Sequence, residues 1–175
     1  MMKRLIYPVM CAAICFASCK KNSVDPAKTT DTTSTPVVST VNTGLDNTAM
    51  LKLVNDTRAA GCTCGTTVMP PVSPLKWNDV LATAALSHSK DMNTTGVLDH
   101  NSSDGTSFSA RISSFGYKWR TVGENIAWGQ TTEQQVFTDW INSEGHCMNI
   151  MNGSFKDFGA AKAGVYWTQD FGAQQ

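Results

Sequence analysis

The stretch Trp140–Met151, WINSEGHCMNIM, sets Glu144, His146 and Cys147 within four residues, between two apolar pairs, Trp140–Ile141 and Ile150–Met151. It reads as a reactive dyad, a metal site or a structural latch. Neighbouring residues on a helix point in different directions, which argues against His146 and Cys147 acting on each other. A thiol here is better used to tie this corner to another segment.

The chain has six cysteines. Cys11, Cys15 and Cys19 lie in an N-terminal segment with the order of an export signal: Lys3 and Arg4, an apolar run from Leu5 to Phe16, then Ala17 and Ser18 before Cys19. The run is too short to span a bilayer. Small residues directly before a cysteine resemble a bacterial lipobox, so residues 1–18 are expected to be a lipoprotein signal and Cys19 the lipid-bearing N-terminus. Each acyl CH₂ would contribute ~0.8 kcal/mol to membrane attachment. Export to an oxidising compartment allows Cys62, Cys64 and Cys147 to form a disulfide. On an extended chain Cys62 and Cys64 approach the upper limit of disulfide Cα separation, about 6.8 Å, so a bridge to Cys147 is preferred. Spacing does not decide between them; Cys64 is taken as the partner, leaving Cys62 as a thiol.

Residues 19–43 are rich in Thr, Ser, Pro and Lys and have no apolar period. They cannot bury enough surface to offset ordering entropy, and form a tether. Residues 44–175 are the folded part. Basic and acidic side chains number 14 each, so the net charge gives no attraction to polyphosphate, and nucleic-acid binding is not expected.

From Asp46, Met50, Leu53, Val54 and Thr57 recur at helical spacing, with Gly61 as a stop. A second helix starts at Asn78 or Asp79 and carries the stripe Leu81, Ala84, Ala85, His88 and Met92. A third is capped by Ser107 and ends at Gly116. The fourth, TTEQQVFTDWINS, has Thr131 and Gln134 at capping-box spacing. ENIAWG reads as a short strand and DFGAAKAGVYWTQDFG as a hairpin, with Val165, Trp167, Gln169 and Phe171 on one face. Helices around a small, mostly antiparallel sheet make a layered α+β domain.

VNDTRAAG, PLKWNDVLATAALSHSKDM, DHNSSDG, FGYKWRTVGENIAWG, VFTDWINSEGHCMNIM and FGAAKAGVYWTQDFG follow one another in the order found in the CAP superfamily, the SCP/PR-1-like extracellular domains. The chain resembles a bacterial branch of that family. The resemblance implies an α-β-α sandwich with a three-stranded antiparallel sheet between helical layers. It also implies a cavity, lined in many relatives by two histidines and two glutamates that can hold a divalent cation. The histidine before the DG motif is His100, and the glutamate of the GEN motif is Glu124. The second glutamate position holds Ser143, with Glu144 one residue later; the second histidine position, in VYWTQ, holds Tyr166. The resemblance to bacterial relatives with an SxGH segment implies that His146 supplies the missing imidazole.

His100, Glu124 and His146 would form the donor set of an open zinc site, although no local spacing such as HExxH supports it. The alternative use of the same side chains is to hydrogen-bond one another and order the cavity. Two functions follow. The first is an exported, lipid-anchored, monomeric module in the bacterial envelope, with a lipid-like or envelope ligand and at most a weakly bound cation such as zinc. The second is a cation-assisted hydrolase in which Glu124 orients a water and His100 or His146 donates a proton. SHSKD holds Ser, His and Asp, but His88 lies on the core stripe and no GxSxG elbow is present. The five tryptophans are core by default, with one or two available to an apolar ligand at a groove.

Overall fold

The computed structural model describes residues 39–175. The expected signal, residues 1–18, and the expected lipid attachment at Cys19 lie outside the described residues. The elements run α1 (Asn47–Ala60), β1 (Cys62–Cys64), β2 (Thr67–Met69), β3 (Lys76–Trp77), α2 (Asp79–Thr95), α3 (Phe108–Ser114), β4 (Trp119–Trp128), α4 (Glu133–Asn142), α5 (Glu144–Ile150), β5 (Asp157–Ala163) and β6 (Tyr166–Gln174). The expected antiparallel trio is β5, β6 and β4, with β6 in the centre. The two-residue β3 adds a parallel edge beside β5, giving the order β3-β5-β6-β4, and β1 and β2 form a separate hairpin.

Because β6 is covered on both faces, it is buried from Tyr166 to Ala173 and does not alternate between core and solvent. Trp167 and Phe171 join Phe158 and Ala160 of β5 in a core with Met50 and Val54 of α1, Val136, Phe137 and Trp140 of α4, and Cys147 and Ile150 of α5. Val165, expected on this face, sits in the β5–β6 turn and is exposed. The opposite face carries Tyr166, Thr168, Asp170 and Gly172 and is covered by α2 and α3. Ser89 of α2 hydrogen-bonds Thr168, and Tyr117, after α3, lies against Gly172. The result is helix, sheet and helix in three layers. Gly159 lets α2 come this close: a Cβ there would sit 2.1 Å from the backbone nitrogen of Ala82.

Helices α1 to α4 each start at a short polar side chain that caps them, whereas Ser143 makes no side-chain cap at α5. Asp46 accepts from the backbone N–H of Ala49, Asn78 from Val80 and Leu81, and Ser107 from Ala110. For α4 the capping residue is Thr132, one later than the spacing predicts, and it accepts from Gln135. The doublets Thr131–Thr132 and Gln134–Gln135 fit the box in two registers. The register found is the one in which Val136, Phe137 and Trp140 are buried. Gln135 still reaches back, accepting from Thr131 N and Oγ1.

Two segments differ from the reading of the sequence. Ser39 and Thr40, assigned by composition to the tether, hydrogen-bond Asp79, and Thr43 O accepts from Lys162 N, so the docked segment extends before Gly44. The fourth helix ends at Ser143, where the sequence places its end, but the extended backbone there (ψ 120°) also starts a further short helix, α5, that the sequence reading did not include.

Candidate functional site

Glu124 is the centre of the site. It lies in β4, the outer strand of the sheet, opposite Asp170 of β6. Its side chain is fully buried, yet it has strong partners. Arg111 of α3, 4% exposed, donates through Nη2 to Oε2, and His100 Nδ1 is 2.8 Å from Oε1. Arg111 also donates to Ser102 Oγ at 2.8 Å and to the His100 carbonyl, which pins the loop that carries His100. The bond to Glu124 raises the pKa of His100, and its imidazole is about half exposed.

Asp170 is a member of the site that the reading of the sequence missed. It is completely buried, and as a carboxylate it would have no donor for either oxygen. Burial, and then the charge of Glu124, raise its pKa well above the ordinary carboxylate range; Arg111 opposes the shift. Only the protonated form of Asp170 can donate to Glu124. The available signal was the polar run Thr168–Gln169–Asp170 inside an otherwise apolar strand, since buried polar groups in a strand require partners.

His88 lies on the buried stripe as expected. It is fully buried, with Nε2 2.8 Å from the Asp99 carbonyl and no partner for Nδ1. Burial lowers its pKa. Ser89 is engaged with Thr168 and Ala161, and Asp91 accepts from Ser103, so SHSKD assembles no serine triad.

Adjacent residues of a strand face opposite ways. Asn125 therefore points away from Glu124, towards α5, donating to the His146 carbonyl (3.1 Å) and to Gln169 (3.2 Å) and accepting from Asn149 Nδ2 (2.9 Å). This fully buried amide fixes the helix that carries His146. Its bond to the His146 backbone, together with those to Asn149 and Gln169, makes a network that the sequence alone does not reveal. His146 is half-buried; burial lowers its pKa, and His100 is close enough to lower it further. The two imidazoles are thus carried from opposite sides of β4, His100 bonded to Glu124 and His146 on the helix that Asn125 holds. Glu144 goes elsewhere: it is exposed and its carboxyl lies against Gly65 in the β1–β2 turn.

The donor set can be compared with what a cation needs. Both oxygens of Glu124 are already engaged, one of them by a guanidinium that would repel a second positive charge. Among the described residues, Cys62, Cys64 and Cys147 are the one group of three metal-ligating side chains whose donor atoms lie within 4.8 Å of one another. In this arrangement His100, Glu124 and His146 do not fit a resident three-ligand centre. Glu124 is built to orient His100.

Beside His146 is a groove of about 290 Å³ lined by Leu98, Ile126, Ala127, Trp128, Trp140 and Ser143, among others. Trp140 is core, its Nε1 donating to the Ile126 carbonyl, whereas Trp128 is 58% and Leu98 49% exposed.

In the middle of α5, next to His146, Cys147 is joined to Cys64, with Cα atoms 5.4 Å apart, inside the ordinary disulfide range. Cys62 is a free thiol.

The family signature described as CAP, Cysteine-rich secretory protein family, matches residues 51–171. The uncharacterized protein YkwD of Bacillus subtilis is 39% identical over 102 residues, which are 57% of this chain and 40% of YkwD. An extracellular protein containing a SCP domain from Bacillus anthracis superposes with a TM-score of 0.65 and 26% identity, over 72% of this chain and 39% of that one. An outer surface protein of Borrelia burgdorferi shares the fold, with a TM-score of 0.60 and 18% identity over 75% of this chain and 97% of its own. The chain thus spans about two fifths of the curated relative YkwD.

Proposed function

Because this chain belongs to the CAP, cysteine-rich secretory protein family, we propose that it is an exported binding module whose groove beside His146 takes a small lipid-like ligand. The observation that carries this reading is Trp128. A large aromatic side chain is left 58% exposed in the lining of the groove, which it shares with Leu98 and His146. Such a wall binds an acyl tail by excluding water, at about 25 cal/mol per Å² buried. The polar end of the ligand meets His146, which lines the groove. The volume, about 290 Å³, suits a short chain or the end of a longer one.

Export is supported by the order of the N-terminal segment and by the extracellular description of the Bacillus anthracis neighbour. Attachment through Cys19 would present the domain on a tether at a membrane surface, close to lipid.

The cation-assisted hydrolase is the weaker reading, because Glu124 has no free oxygen to orient a water and holds His100 and Arg111 instead. Calorimetric titration separates the two readings. Octanoate is expected to bind wild-type protein and to lose affinity in Trp128→Ala. Zinc heats that disappear in His100→Ala, with no octanoate binding, would favour the hydrolase.

A further inference from the structure

We propose that Cys62, Cys64 and Cys147 form a thiol–disulfide exchange centre, in which the Cys62 thiolate attacks Cys147 Sγ, a Cys62–Cys147 bond forms and Cys64 leaves as the thiolate. The arrangement follows from β1. Residues two apart on a strand face the same way, so Cys62 and Cys64 both point at α5, where Cys147 is fully buried. Cys62 Sγ lies 3.5 Å from Cys147 Sγ and 3.8 Å from Cys64 Sγ. One nucleophile and one disulfide are thus in van der Waals contact. The step needs no oxidant or reductant: one S–S bond forms as another breaks, and the proton lost by Cys62 is balanced by the one that Cys64 takes up.

The alternative attack, on Cys64 Sγ, would join Cys62 to Cys64 and release Cys147. That bond would have to close across two residues of an extended strand, at the edge of disulfide geometry, so β1 disfavours it. Attack on Cys147 keeps the latch shut. The two isomers close nearly the same loop, with separations of 83 and 85 residues, so chain entropy does not choose between them.

Burial distinguishes them. In the isomer seen here the free thiol is Cys62, which is half-buried; in the other it would be Cys64, whose position is fully buried. Exchange therefore moves the domain between a form with an accessible thiol and a form without one, at constant redox state. Burial also pushes the Cys62 thiol pKa up, which keeps the thiolate scarce and the exchange slow.

The full chain, held without reductant at mildly alkaline pH, is quenched in acid, then denatured and labelled with N-ethylmaleimide. Peptide fragmentation then resolves Cys62 from Cys64. The expected result is label on both Cys62 and Cys64 and none on Cys147, with the Cys64 label absent in Cys62→Ser. In Cys64→Ser, Cys62 and Cys147 are expected to be joined. Label on Cys62 alone would overturn the proposal, as would label on Cys147, or Cys64 label that persists in Cys62→Ser. If Cys64→Ser fails to fold, the wild-type labelling pattern still decides.

Discussion

Glu124 and Asp170 face each other across the β4–β6 pair, both buried, with one guanidinium, that of Arg111, to balance them. Two ionised carboxyls here would repel in a poorly solvated site, so Asp170 holds its proton. Below the ordinary carboxylate range, near 3.8, Asp170 is protonated in both folded and unfolded chains. As pH rises from there towards the raised folded pKa, the unfolded chain loses that proton first, and the contribution to stability falls by up to about 1.4 kcal/mol per pH unit. Asp170→Asn removes this slope while keeping a donor towards Glu124. Urea denaturation across pH checks it. The depressed histidines act in both proteins and cancel in the difference, so an unchanged slope in the variant would contradict a proton held on Asp170.

The three histidines should titrate in a fixed order. His100 is expected above 6.5 because Glu124 holds its protonated form, and His88 and His146 below it because burial disfavours theirs. Glu124→Gln should lower the pKa of His100. His100→Ala should let that of His146 rise, since a proton on His100 depresses it. Imidazole proton shifts measured by NMR report all three.

Arg58 is a fully buried cation whose Nε donates to the Ser73 carbonyl and whose Nη1 donates to Ile150 and Asn152, binding α1 to the loop before β3 and to the end of α5. Burial pushes its pKa down to about 10, which still leaves it charged at neutral pH. Lys cannot reproduce the fork. Arg58→Lys is expected to lose about 2–4 kcal/mol in chemical denaturation, with the charge retained but several carbonyls left unpaired.

Opening the latch should cost stability out of proportion to the two sulfur atoms. The bridge joins residues 83 apart, and loop-closure entropy predicts about 4–5 kcal/mol for Cys147→Ser. Matched urea melts of wild type and variant test this. A loss below about 1 kcal/mol would mean that the latch does not restrain the unfolded chain.

The layers of the fold were legible because apolar spacing is dictated locally. The α2 stripe from Leu81 to Met92 is buried as read, and the β5–β6 hairpin starts with DFGAAKAGVYWTQDFG and runs past it to Gln174. His100 and Glu124, placed by family resemblance, do touch. What stayed hidden depends on contacts distant in sequence. Arg111 reaches Glu124 from another element, and Asp170 reaches it only through strand register. Glu144 and His146 lie two residues apart on the same helix, α5, and so point to different sides, and the start of that helix after Ser143 is not visible in any periodicity.

The central claim is that the wall formed by Trp128 and Leu98 beside His146 is a ligand site. Its most direct test is an octanoate titration followed in the ¹H–¹⁵N spectrum at the Trp128 indole. Saturable shifts at Trp128 and His146, lost in Trp128→Ala with stability within about 0.5 kcal/mol of wild type, are predicted. No shift at Trp128 up to millimolar octanoate, with saturable shifts at His100 and His146 on adding zinc, would contradict it.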